Sequence, residues 1–95
     1  MLGRLLLWGL GAALAVGAIA AIVIAVKRLS SNTIREELIK QHLNEAIIKN
    51  ISEYGEDQLK VSVGLLDSYG DEKKVIEYHA DEIERNLYEG MKIYA

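Results

Sequence analysis

The sequence predicts an α+β chain led by an apolar helix, and three observations carry that prediction. An uncharged run of 22 residues extends from Leu5 to Val26. Apolar residues then recur at three- and four-residue spacings from Ile34 to Tyr54, and from Leu59 the period shortens to two. The expected layout is an N-terminal single transmembrane helix, a second amphipathic helix, and a small β-hairpin-containing module with a short helical turn and a final short strand. In domain terms this is an anchor over 1–28, a polar linker over 29–33 and an acidic soluble module over 34–95.

The first element follows from length. As a helix, the Leu5–Val26 run is long enough to cross the roughly 30 Å hydrocarbon core of a bilayer. Ala13-Leu14-Ala15 and Ala18-Ile19-Ala20 have the small-x-small form of a signal-peptidase site. The apolar run continues past both and then meets Lys27 and Arg28, a stop-transfer flank. These two cations, with Arg35 and Lys40, outnumber Arg4 on the other side, so the positive-inside rule predicts a membrane localisation with a single pass and a cytoplasmic C-terminal module. Within the run, small residues fall at Gly9, Ala13, Gly17, Ala21 and Ala25. On a helix that spacing lines up a groove through which a second backbone can approach closely, although composition alone can also produce it.

After the polar break Ser30-Ser31-Asn32, Thr33 and Glu36 have the spacing of a capping box. A helix over about 34–52 is expected from Ile34, Leu38, Leu43, Ile47 and Ile51, with Gly55 as the stop. The alternative is a helix ending near His42 and a strand from Ala46 to Ser52. Leu59, Val61, Val63 and Leu65 then alternate with Lys60, Ser62 and Gly64, as a half-buried strand does. The Asp67–Glu72 stretch is rich in turn formers, and Ile76, Tyr78 and Ala80 repeat the alternation, so 59–80 reads as a hairpin. Asp81 and Glu84 have capping-box spacing and suggest a short helical turn closed by Gly90, with a last strand before Ala95.

Charge is segregated along the chain. From Glu36 onward there are 14 acidic and 7 basic residues, a net of −7 by subtraction, and such a module repels phosphate backbones. No nucleic acid is expected as a partner. Cysteine is absent, so disulfides and thiolate chemistry are excluded. His42 and His79 are the only histidines, they stand in no HExxH or paired-imidazole spacing, and no serine lies in a nucleophile-elbow context. Asp67, Asp71 and Glu72 miss the calcium-loop spacing. No catalytic, cofactor or metal residue is assigned. Of the five tyrosines, Tyr54 and Tyr78 are expected in the core, with Tyr69 and Tyr94 exposed.

The segment Leu87-Tyr88-Glu89-Gly90-Met91-Lys92-Ile93 resembles the closing turn and strand of small SH3-like or OB-like barrels. With a strand from Ala46, that resemblance would imply a four-stranded barrel. The functional expectation is non-enzymatic: a self-assembling or accessory subunit of a larger membrane complex, touching lipid and either itself or another membrane protein. Three alternatives stand beside it. One is a filament subunit, since an apolar helix continuing into a capped helix and a β-rich head resembles the layout of type IV pilins. The others are a phage-like or toxin protein that perturbs membranes, and a domain secreted after signal cleavage.

Overall fold

The computed structural model describes residues 20–95. These form five strands, β1 (Ala21–Leu29), β2 (Glu45–Tyr54), β3 (Gln58–Leu66), β4 (Glu72–Ile83) and β5 (Lys92–Tyr94), with one helix, α1 (Ser31–Gln41), between β1 and β2. All five strands share one sheet in the order β1-β4-β3-β2-β5. β1 runs parallel to β4, and every other neighbouring pair is antiparallel. β1 and β2 therefore point the same way with β4 and β3 between them, and α1 carries the chain across.

Alternation decides which side chains enter the core. Val61, Val63 and Leu65 of β3 lie opposite Tyr78, Ile76 and Lys74 of β4, and Ala46 and Ile48 of β2 continue the same rows. Ile34 and Leu38, one turn apart on α1, close over this face and are fully buried. Ile24 and Val26 of β1 pack against the same cluster from its margin. Each fully buried aliphatic of this kind is worth about 1.5–3 kcal/mol relative to exposure, so the sheet face and the α1 stripe hold each other in place.

Local chemistry sets the ends of the elements. Ser30 is the N-cap of α1, in extended conformation, and its Oγ accepts from the Thr33 N–H at 3.2 Å. Glu84, just beyond β4, accepts from the Ser31 N–H at 2.9 Å, tying the start of the helix to the end of the sheet. His42 ends α1 in the left-handed region at φ 59°, with its N–H bonded back to Ile39 O. The β3–β4 turn is organised by Asp67, whose carboxylate accepts from the Tyr69 and Asp71 N–H groups at 2.9 and 3.0 Å. Gly70 supplies the positive φ of 84° that this turn requires.

Several sequence-based expectations are corrected by the structure, the α+β class first: the described residues are mostly β-sheet, with α1 as their single helix. Ala21–Leu29, which includes the end of the expected transmembrane helix, is a strand that pairs with β4 in one constant parallel register. No helix among the described residues is long and apolar enough to cross a membrane. The transmembrane, single-pass reading and the cytoplasmic placement of the module derived from it are thereby overturned; the part of the Leu5–Val26 run up to residue 19 lies outside the described residues. The physical reason is that Ile22, Val23, Ile24 and Val26 are β-branched, and an apolar run fits a sheet as well as a bilayer once another strand satisfies its backbone.

The second expected helix, over about 34–52, is also corrected. The helix stops at Gln41, and Glu45–Tyr54 is β2, so the alternative division near His42 is the one observed. A bulge at Lys49 places Ile48 and Ile51 both on the core side although they are three apart, which imitates helical spacing in the sequence. The capping boxes at Thr33 and Asp81 are not used: Ser30 caps α1, and β4 runs through Asp81 to Ile83 with no helical turn there. Nor does the sheet close into a barrel among the described residues, where β1 and β5 are its two ends. Tyr54 is 43% exposed, not a core residue.

Candidate interaction surface

The two edges of the sheet are built differently. On the β2 side, β5 pairs with Glu45–Ile47, and the chain just before β5 continues the closure. Gly90 N–H donates to Ile48 O at 2.7 Å, and Ile48 N–H donates to Met91 O at 2.9 Å. Farther along, the Glu89 carboxylate accepts from the Ile51 N–H at 2.8 Å and from Asn50 Nδ2 at 3.2 Å. Strand, loop and carboxylate together cap this edge. Such devices are how sheets avoid unintended pairing.

The β1 edge carries none of them. β1 is nine residues long, has β4 on one side, and has no strand on the other among the described residues. Its first six residues, Ala21 to Val26, are uncharged and include no proline, glycine or bulge. Val23 is 58% exposed and Ile22 is 41% exposed. Charge appears only at the far end, where Lys27 is exposed and the Arg28 guanidinium lies 3.3 Å from Glu82.

Beside this edge, the face of the sheet opposite α1 is crossed by polar rows. Ala25, His79, Lys60 and Ser52 lie in register across four strands, as do Val23, Glu77, Ser62 and Asn50. Glu77 and His79 are two apart on β4 and so share this face, with Nε2 of the imidazole 2.6 Å from the carboxylate. The Tyr54 ring reaches across β3 and stacks on His79 at a centroid separation of 4.1 Å. The imidazole is thus fixed from two sides. No hydrogen bond joins it to Ser62, so a nucleophile–base relay is not assembled there. No group of three or more histidine or acidic residues is placed to hold a metal, and no cavity is formed, among the described residues.

Perturbed ionisation occurs at structural positions. The Ser31 backbone N–H holds the Glu84 carboxyl below its ordinary value, aided by the Ser31 hydroxyl and the Arg28 and Arg35 charges. The Asp71 and Tyr69 N–H groups do the same for Asp67, with help from Lys73. Burial, reinforced by Glu37, pushes the Tyr78 phenol above its ordinary value. Its hydroxyl is buried and finds no hydrogen-bond partner among the described residues.

Of the small-residue row, Ala21 and Ala25 fall on one face of β1 with Val23 between them, while Gly9, Ala13 and Gly17 lie outside the described residues. The flanking cations Lys27 and Arg28 belong to the last part of the same strand. The sequence alone does not bring Tyr54, His79 and Glu77 together. The i, i+2 spacing of Glu77 and His79 in a β-prone run is a legible signal for half of this cluster, whereas the approach of Tyr54 depends on sheet order. No family model matches the chain, and neither a curated protein nor a solved structure matches it.

Proposed function

We propose that this protein is a non-enzymatic assembly module that works by strand addition at the outer edge of β1. The observation that carries this reading is the contrast between the two edges. One is capped by β5, Gly90–Met91 and Glu89, and the other offers nine residues of extended backbone whose first six are uncharged. Unpaired backbone groups on an edge strand are donors and acceptors in register, and an added strand satisfies them while covering the apolar side chains beside it. The acidic balance of the rest of the chain favours a polypeptide partner over a phosphate backbone.

Hydrogen exchange on the full chain, in the state recovered from cells, tests this. The β1 amides that point away from β4 are expected to be protected, and a V23K/A25K double variant is expected to lose that protection while β2–β4 keep theirs. Free exchange of those amides in the unmodified chain would refute strand addition.

A further inference from the structure

Resting on the strand-addition reading, we infer that the polypeptide at the β1 edge is a second copy of this chain, paired antiparallel about a twofold axis at Ile24. Three features of the edge lead to a copy. The first is self-complementarity: opposite residues must share a face, and an axis at Ile24 sets Ile22 against the partner's Val26 and Val23 against the partner's Ala25. The row that each copy presents beside α1 (Ile22, Ile24, Val26) then runs unbroken into the other copy. A one-residue slip would put these side chains against the polar face.

The second feature is charge. In this antiparallel register Lys27 lies beside the partner's Ala21 and Arg28 beside the partner's Ala20, so each cation meets an uncharged position. Parallel in-register pairing would instead stack Lys27 on Lys27 and Arg28 on Arg28, and like charges directly opposite are destabilising. The third feature is closure. An isologous contact uses the same patch on both copies, and because the β2 edge is capped and ends on the three-residue β5, pairing at β1 uses the one long uncapped edge of the sheet among the described residues. The product is a dimer with a continuous ten-stranded sheet, twice the five of one copy, and it does not propagate into a filament.

The absence of cysteine allows the register to be measured directly on the full chain. Single cysteines carrying a nitroxide label are placed at Ala21, Val23, Ala25 and Lys27, all exposed and all on the open face. With a rise of about 3.3 Å per residue and strands about 5 Å apart, an axis at Ile24 puts like backbone positions about 8 Å apart at 23 and 25 and about 20 Å apart at 21 and 27. Strong, equal coupling at the inner pair, weak and equal coupling at the outer pair, and loss of both on dilution with unlabelled chain are the expected results. Equal distances at all four sites, or a minimum elsewhere, would overturn the proposed pairing. No coupling in a sample whose outward β1 amides are protected would overturn the second copy while leaving strand addition, with residues 1–19 or a different polypeptide as the occupant. No coupling with those amides unprotected would overturn both.

Discussion

Replacing Tyr78 with Phe should stabilise this protein, and the structure gives the size of the effect. Tyr78 is 1% exposed, its ring packs on the core side of β4 opposite Val61, and its hydroxyl has no hydrogen-bond partner among the described residues. A buried polar group left unsatisfied costs about 1–3 kcal/mol. Deleting the oxygen forfeits a handful of dispersion contacts at about 0.1–0.2 kcal/mol each, roughly 0.5–1 kcal/mol in all. The balance is a gain of about 0–2.5 kcal/mol for Y78F. Urea unfolding should show a higher midpoint with unchanged slope, since the surface exposed on unfolding is the same. The phenol gives a second readout. Because burial raises its folded pKa above the ordinary value of 10.0, the unfolded chain releases the proton first as pH rises, so stability falls above about pH 10. That decline should be shallower in Y78F. A Y78F variant that loses 1 kcal/mol or more, by about the measure of one broken hydrogen bond, would refute the reasoning, because it would mean that the hydroxyl is satisfied.

Two further perturbations probe the junction between helix and sheet. Ser30→Ala removes the oxygen that accepts from the Thr33 N–H and should lower stability by about 1 kcal/mol, read as a reduced urea midpoint with unchanged slope. Glu84→Gln removes the charge that receives the Ser31 N–H. The folded carboxyl is held below 4.5, so its contribution is present above that value and is lost as pH falls through the depressed folded pKa. The unmodified chain should therefore show a steeper acid loss than the variant in unfolding midpoints measured below about pH 5, and parallel profiles would sink the assignment.

The difference between what was legible and what was not follows from the range of the interactions. Turn chemistry is local. Asp67 with Gly70, and the glycines at positions 55 and 90 with φ of 68° and 91°, mark bends whatever lies around them. The alternation of Leu59, Val61, Val63 and Leu65 likewise carries its own period, and those residues lie in β3. The sequence also determined the charge balance and the absence of thiol chemistry without reference to any contact.

The segments that misled are those whose burial is supplied from far along the chain. Ala21–Val26 reads as part of a membrane span because nothing nearby shows that its backbone will be satisfied by Val75–Ala80, about fifty residues later. β2 reads as a continuation of a helix because the bulge at Lys49 shifts the phase of its apolar positions, and that bulge exists only in pairing with β3. The open edge of β1 is a property of strand order and of a loop that caps the opposite side. Backbone hydrogen bonding between distant segments decided these points, since an apolar run states only that it must leave water and pairing alone selects the surface that receives it.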